Sequence, residues 1–199
     1  MIILAYYFVG GRQVDLTDND YLGYLHLKNL KIKKVQIANL IFYRLYGRYL
    51  KPFQFSDTIY KREFKNGFSI LANCCLLIEA LQSFKNGWDE TPDRKGKEVF
   101  ENFLSGNKTF STLAKKNFYK NVRCSILHQG ETTGGWKIIR KNKKLFDSKS
   151  LTIDANEFSK EIEKVLKKYI RALKTEEWDS EVWDNCRTKM RMIIKNSKK

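Results

Sequence analysis

The chain has 199 residues and a formal net charge of +16, from 38 Lys and Arg against 22 Asp and Glu. Its apolar fraction of 42% and aromatic fraction of 14% exclude a natively disordered chain, because disorder requires low hydrophobicity. The charge favours a polyanionic partner, most commonly nucleic acid, with an anionic membrane surface as another possibility. A solvated, lysine-rich surface without a specific partner explains the charge equally well.

The first part of the chain is predicted to form a short apolar segment and two long helices. The start MIILAYYFVGG is too short to span a bilayer and is predicted to be a strand or a packed N-terminal segment. Apolar residues at helical spacing predict a helix over residues 30–50, with Pro52 just beyond its end, and a second helix over residues 57–85. The second helix is apolar nearly all round at its centre, so it is predicted to be buried on most sides.

The second part is predicted to alternate helices with one small β element. Thr91-Pro92 predicts the start of a short helix, because Thr is a good N-cap and proline fits the first helical position. A helix is then predicted from residue 109 or 111 to residue 129, ended by Gly130. Further predictions are a β-hairpin within 136–153, an amphipathic helix that begins at a capping box over 154–157, and a basic helix over 180–195.

These elements predict a mainly α fold, a helical bundle of five to six helices with a small β-hairpin insertion after the helix that ends at Gly130. The cysteines have no C-x-x-C spacing, so neither a zinc site nor another metal site is predicted. They are interpreted as reduced core residues, which is typical of a cytoplasmic protein, and no membrane-spanning segment is expected. The four are Cys74, Cys75, Cys124 and Cys186.

The segment NVRCSILHQGE carries the best candidate for chemistry. Of the two histidines, His26 lies in YLGYLHLKNL, where it is interpreted as a partly buried spacer, whereas His128 lies at a glycine-terminated helix end together with Arg123. RNA is cleaved without a metal when its 2′-hydroxyl attacks the neighbouring phosphate. Histidine is a suitable general base near neutral pH, and arginine matches the geometry of the phosphate that gains charge. A symmetric dimer would bring two copies of His128 to one cleft, as base and acid.

The segment FYKNVRCSILHQGETTGGWKI resembles the signature of the HEPN (higher eukaryotes and prokaryotes nucleotide-binding) superfamily. HEPN domains are small helical bundles with R-x4-6-H near the end of a late helix, and Arg123 and His128 match this motif with four residues between them. The resemblance implies a metal-independent endoribonuclease that needs no cofactor and acts on RNA as a homodimer. It also implies an antitoxin or another defence-system partner, as in toxin–antitoxin and abortive-infection systems.

The resemblance includes the buried helix LANCCLLIEALQSF, and it divides the chain into three parts. Residues 1–56 are predicted to be an N-terminal extension whose long helix packs on the core. Residues 57–175 are predicted to be the HEPN-like domain, and residues 176–199 a basic C-terminal helix.

Glu79 lies inside the apolar stretch LLIEAL, where an unpaired carboxylate would be costly. Arg123 is the predicted partner, and Glu79 would then orient Arg123 in a catalytic site or serve as one half of a structural salt bridge. In an ideal α-helix, positions five apart point about 140° away from each other. Arg123 and His128 therefore share a face only if the helix unwinds at His128 or the arginine side chain bends round.

The basic, aromatic segment WKIIRKNKKLF is the predicted RNA-binding element. Its basic side chains would contact the backbone and its tryptophan would stack on a base. The alternative is an exposed hairpin whose lysines provide solubility and protect a sheet edge. The residues concerned are Trp136, Arg140, Lys141, Lys143 and Lys144.

Two other functions remain open on the sequence. One is a non-catalytic HEPN-like module that binds nucleic acid or a partner protein. The other is a helical protein in which Arg123, Glu79 and His128 form a purely structural cluster. Exposure of His128 discriminates the ribonuclease from the structural cluster, because a ribonuclease requires this side chain in an open cleft near a two-fold axis, whereas a structural cluster would bury it in one subunit.

Overall fold

The computed structural model describes residues 1–54, 63–141 and 143–198, and over these residues the chain is mainly helical, as predicted. The α-helices are α1 (Asp18–Leu25), α2 (Leu30–Tyr49), α3 (Gly67–Asn86), α4 (Gly96–Ser105), α5 (Ser111–Ala114), α6 (Ser125–Gln129), α7 (Ala155–Thr175) and α8 (Glu181–Asn196). The strands are β1 (Ile3–Val9), β2 (Arg12–Thr17), β3 (Lys137–Ile139), β4 (Phe146–Asp147) and β5 (Thr152–Asp154).

The predicted number of five to six helices is too low, because the described residues contain eight α-helices. One reason is α1, which was not predicted. It begins at a capping box in which the Thr17 hydroxyl accepts a hydrogen bond from the Asp20 N–H and the Asp20 carboxylate accepts one from the Thr17 N–H. Before it, β1 and β2 form an antiparallel hairpin, so the predicted N-terminal strand has a partner strand that the sequence analysis missed.

Helices α2 and α3 lie close to their predicted positions. α2 covers residues 30–49 of the predicted 30–50, and α3 ends one residue after its predicted end, at a left-handed Gly87. The predicted start of α3 is wrong for residues 64–66, which are not helical, and the prediction for 57–62 falls outside the described residues. α3 contacts α2, α7 and α8, so it occupies the centre of the bundle, as its apolar sequence predicts.

Two boundaries in the middle of the chain differ from prediction. Helix α4 begins at Gly96 rather than at Thr91-Pro92, because Arg94 has a left-handed backbone (φ 61°) that a continuous helix does not allow. The single helix predicted up to residue 129 is divided into a 3-10 turn, α5, a π-helix over Tyr119–Cys124, and α6. Asn117 is also left-handed (φ 55°) and separates the two halves of this segment.

The predicted β-hairpin insertion is instead a three-stranded sheet with the order β3-β5-β4, in which β3 runs parallel and β4 antiparallel to β5. Fully buried Asp154 joins this sheet to α7. Its Oδ1 accepts hydrogen bonds from the N–H groups of Asn156 and Glu157, and its Oδ2 accepts them from those of Lys141 and Lys143. The predicted N-cap is confirmed, and the same carboxylate also fixes the basic loop.

One buried core draws on all three predicted parts of the chain. It includes Leu4 from β1, Ile41 from α2, Leu77 from α3, Leu166 from α7 and Trp183 from α8. The division at residues 56 and 175 stays a prediction. Among the described residues, α3 has the length and composition to cross a bilayer, with a mean hydropathy of 1.4 in a window that is 56% buried. The core helix of a soluble protein has the same properties.

Candidate functional site

A π-helix carries Arg123 and precedes the helix that carries His128. A π-helix has a wider turn than an α-helix and is rare. It occurs mostly as a single turn and is frequent at functional sites. Two of its carbonyl groups accept hydrogen bonds from groups that do not belong to a regular α-helical ladder. The Lys120 carbonyl accepts one from the Ser125 hydroxyl (3.0 Å), and the Asn121 carbonyl accepts one from the Thr133 N–H (3.0 Å). The turn is thus tied to the loop that follows α6.

Arg123 pairs with Glu79 of α3, which confirms the predicted ion pair. Nε and Nη2 of Arg123 donate to the same carboxylate oxygen at 2.8 and 2.5 Å. The side chains are 18% and 23% exposed, so the pair is partly buried. The guanidinium lies 5.4 Å from the Tyr119 ring centre, and Nη1 contacts the Cys124 thiol at 3.9 Å. Burial lowers the pKa of Arg123, but hydrogen bonding and the charge of Glu79 outweigh it, and the pKa is raised.

His128 is exposed and lies in the last turn of α6. Gly130 ends the helix with a left-handed backbone (φ 72°), as predicted. The imidazole borders an open cavity of about 520 Å³, and most of the residues that line it carry polar side chains. The lining residues are Lys120, Asn121, Cys124, Ser125, His128, Gln129, Thr133 and Gly134.

A hydrogen-bond network forms the floor of this cavity. The Ser125 and Thr133 hydroxyls lie 2.9 Å apart, and the Thr133 hydroxyl donates to Oδ1 of Asn121 at 3.2 Å. Gly134 has a left-handed backbone (φ 63°), and a Cβ atom there would lie 2.7 Å from Nδ2 of Asn121. The loop and the π-helix therefore pack closely beneath His128, and this wall of the cavity is fixed.

Arg123 and His128 do not meet within one chain. No hydrogen bond joins them in the described structure, and Arg123 does not line the His128 cavity. The helix α6 stays helical through Gln129, and the Arg123 guanidinium is hydrogen-bonded to Glu79. Cys124 contacts Arg123 and also lines the cavity, so it lies between the two groups.

The predicted RNA-binding residues occupy different environments. Lys141, Lys143 and Lys144 are exposed on the loop that Asp154 fixes, whereas Arg140 donates a hydrogen bond to the Asn66 side chain. Trp136 is 5% exposed, stacked on Phe146 with ring centres 5.1 Å apart and edge-on to Phe118. The prediction that a base stacks on Trp136 is therefore wrong, since the indole belongs to the aromatic core.

The sequence analysis missed four polar residues that line the same cavity as His128, namely Lys120, Asn121, Ser125 and Thr133. Two of them, Lys120 and Asn121, precede Arg123 in the segment FYKNVRC and belong to the π-helix. The spacing of apolar residues does not reveal a π-helix, so no signal in the sequence indicates that these residues lie near His128. His26 is exposed rather than partly buried and caps the end of α1.

The cysteines are free thiols, and three of them are fully buried. Burial raises the pKa of Cys74 and of Cys186 to about 12, so both stay protonated and unreactive at neutral pH. Among the described residues, no group of three or more His, Cys, Asp or Glu side chains is arranged to hold a metal ion.

Comparison with known proteins identifies no relative of this chain. No protein-family model matches the chain, and neither the curated proteins nor the solved structures include a match.

Proposed function

We propose that the protein is a cytoplasmic, HEPN-like, metal-independent endoribonuclease that acts as a homodimer. The observation that carries the proposal is the position of His128, which is exposed at a helix end and borders an open cavity. Exposure is what a general base or acid requires, because it must reach the substrate. The net charge of +16 supports an RNA substrate through attraction to the backbone.

In the proposed reaction, His128 takes the proton of a ribose 2′-hydroxyl. The 2′-oxygen attacks the adjacent phosphorus, the bond to the 5′-oxygen breaks, and the leaving oxygen takes a proton from a second imidazole. The products are a 2′,3′-cyclic phosphate and a 5′-hydroxyl end. Arg123 would stabilise the charge on the phosphate through Nη1, while Glu79 fixes the plane of the guanidinium through Nε and Nη2.

The proposal requires a two-fold dimer, since the reaction uses two imidazoles and one chain supplies only one suitable histidine, His128. A dimer with both Arg123–His128 pairs near the two-fold axis would supply both base and acid to one cleft. Sedimentation at micromolar concentration is expected to give the mass of a dimer. A monomer at that concentration would contradict this arrangement.

The rival is a non-catalytic HEPN-like module that binds nucleic acid or a protein partner, such as an antitoxin or a defence-system component. It is favoured by one observation: Arg123 is already engaged by Glu79, and no hydrogen bond joins it to His128 among the described residues. In this alternative, the ion pair is structural, and the exposed lysines provide binding without cleavage.

A cleavage assay on mixed RNA in EDTA separates the two proposals. The ribonuclease proposal predicts that wild type cleaves and leaves 2′,3′-cyclic phosphate ends. It also predicts that His128→Ala does not cleave. His26→Ala is the matched control, because His26 is likewise exposed at a helix end but lies outside the cavity. Binding without cleavage by wild type would support the rival, and equal loss in both variants would contradict a specific role for His128.

A further inference from the structure

A second cavity, of about 320 Å³, lies between α2, α3 and α8, and three basic side chains converge on it. Arg44 and Arg48 come from α2 and Lys189 from α8. Glu79 lies on its wall, so the cavity borders the ion pair with Arg123. The sequence analysis did not bring the three cations together, since Lys189 lies about 140 residues after the two arginines in the chain.

The three cations repel one another. Arg44 and Arg48 are four residues apart on one helix, a spacing at which like charges are neighbours and destabilise the helix. Burial first, and the charge of Arg48 second, lower the pKa of Arg44 to about 10. Burial also lowers the pKa of Lys189, with Asp89 and Glu90 acting to raise it and Arg44 to lower it. The fold therefore holds positive charges together against their mutual repulsion.

No acid of the described part of the chain forms an ion pair with this cluster. Within the described residues, none of the three cations has a carboxylate at ion-pair distance. Arg44 donates to the Leu4 carbonyl at 2.7 Å and Lys189 to the Asp89 carbonyl, which satisfies hydrogen bonds but removes no charge. Of the acids that line the cavity, Glu79 is engaged by Arg123, so Glu90 and the neighbouring Asp89 are the acids that oppose the three cations.

We propose that the cavity formed by Arg44, Arg48 and Lys189 binds a phosphate group. Converging guanidinium and ammonium groups match the geometry and charge of phosphate oxygens, and Ser83 and Thr91 place hydroxyl-bearing side chains on the same wall. The phosphate belongs either to an RNA backbone or to a free phosphate or nucleotide. The site does not depend on the protein being a ribonuclease, but an RNA strand held there would pass beside Glu79 and Arg123.

The test uses the full chain with His128→Ala as background, so that RNA binding is measured without cleavage. The variant is Arg48→Gln combined with Lys189→Gln. Arg48 is exposed, and Arg44 is not replaced because it donates a hydrogen bond to the Leu4 carbonyl. The matched control is Arg171→Gln combined with Lys31→Gln, two exposed cations outside the cavity with the same change in charge. Inorganic phosphate binding is measured by calorimetry and binding of a short single-stranded RNA by fluorescence anisotropy, both at one fixed salt concentration.

The cavity variant is expected to bind phosphate at least about tenfold more weakly than the control, because one charge-assisted hydrogen bond is worth a factor of that order. A parallel loss for RNA identifies the backbone as the source, and a loss for phosphate alone identifies a free phosphate or nucleotide. Equal affinities of variant and control for both probes would overturn the proposal. Cleavage by the unmutated chain is measured separately, so failure of this site is distinguishable from failure of the ribonuclease proposal.

Discussion

Arg123 and His128 lie on one short segment, but Arg123 is partly buried and His128 is exposed. The π-helix turns Arg123 inward, to an ion pair with Glu79 that is partly buried, whereas α6 presents His128 to solvent beside an open cavity. The difference teaches that a motif in the sequence can join two side chains with separate physical tasks. Arg123 contributes to stability and to the position of a positive charge, and His128 is available for proton transfer. Variants on each side should therefore have different consequences.

The largest expected loss of stability comes from Glu79→Gln, which leaves the Arg123 charge partly uncompensated. Removing one partner of a fully buried pair costs about 3–5 kcal/mol, and the remaining exposure of this pair lowers our expectation to about 2–3 kcal/mol. Urea unfolding measures the change. Glu98→Gln is the control, since its pair with Lys95 is 58% exposed on both sides and solvent screening leaves it with little effect on stability. Equal losses in the two variants would contradict a stabilising role for the inward pair.

Gly134→Ala tests the packing of the hydrogen-bond network that forms the floor of the His128 cavity. Alanine strains the left-handed backbone at this position, and its Cβ atom would lie 2.7 Å from Nδ2 of Asn121. The variant is therefore expected to lower the free energy of unfolding by about 2 kcal/mol and to disturb the network. Gly130→Ala is the control, because Gly130 is also left-handed but has open space around it, so strain of about 1 kcal/mol remains. Thermal unfolding compares the two. A floor that is loosely packed would give both variants the same melting temperature.

The exposed lysines Lys141, Lys143 and Lys144 should affect RNA binding with little effect on stability. Replacing Lys141, Lys143 and Lys144 with Gln is expected to lower the slope of log affinity against log salt by about 2 units, at about 0.7 per phosphate contact on a single strand. A control with Lys28, Lys31 and Lys164 replaced removes three exposed lysines elsewhere. If both triple variants change the slope equally, binding depends on net charge and not on this loop.

Regular apolar spacing predicted several elements closely. α2 and α8 end within one residue of their predicted ends, and α7 starts at its predicted cap, since long periodic stripes and local capping residues are properties of nearby sequence. The Glu79–Arg123 pair was also predictable, because an acid in an apolar helix requires a partner.

The predictions failed where distant contacts decide the local conformation. In the segment before Gly130, the buried residues Leu113 and Phe118 are five positions apart, which is not a helical spacing, and the break between α5 and the π-helix lies between them. The apolar residues after Phe118 return to helical spacing. Trp136 was misassigned because its environment is made by Phe118 and Phe146, which a local reading of the basic segment does not include. The pairing of β3 with β5 is likewise non-local.

The rate of RNA cleavage by His128→Ala in EDTA, with its unfolding measured on the same sample, tests the central claim most directly. The account predicts a rate at least about a hundredfold below wild type, since a general acid or base contributes about that much or more. It also predicts a loss of stability below about 1 kcal/mol, as for other exposed positions. Cleavage at the wild-type rate, or unfolding as severe as in Glu79→Gln, would contradict the account.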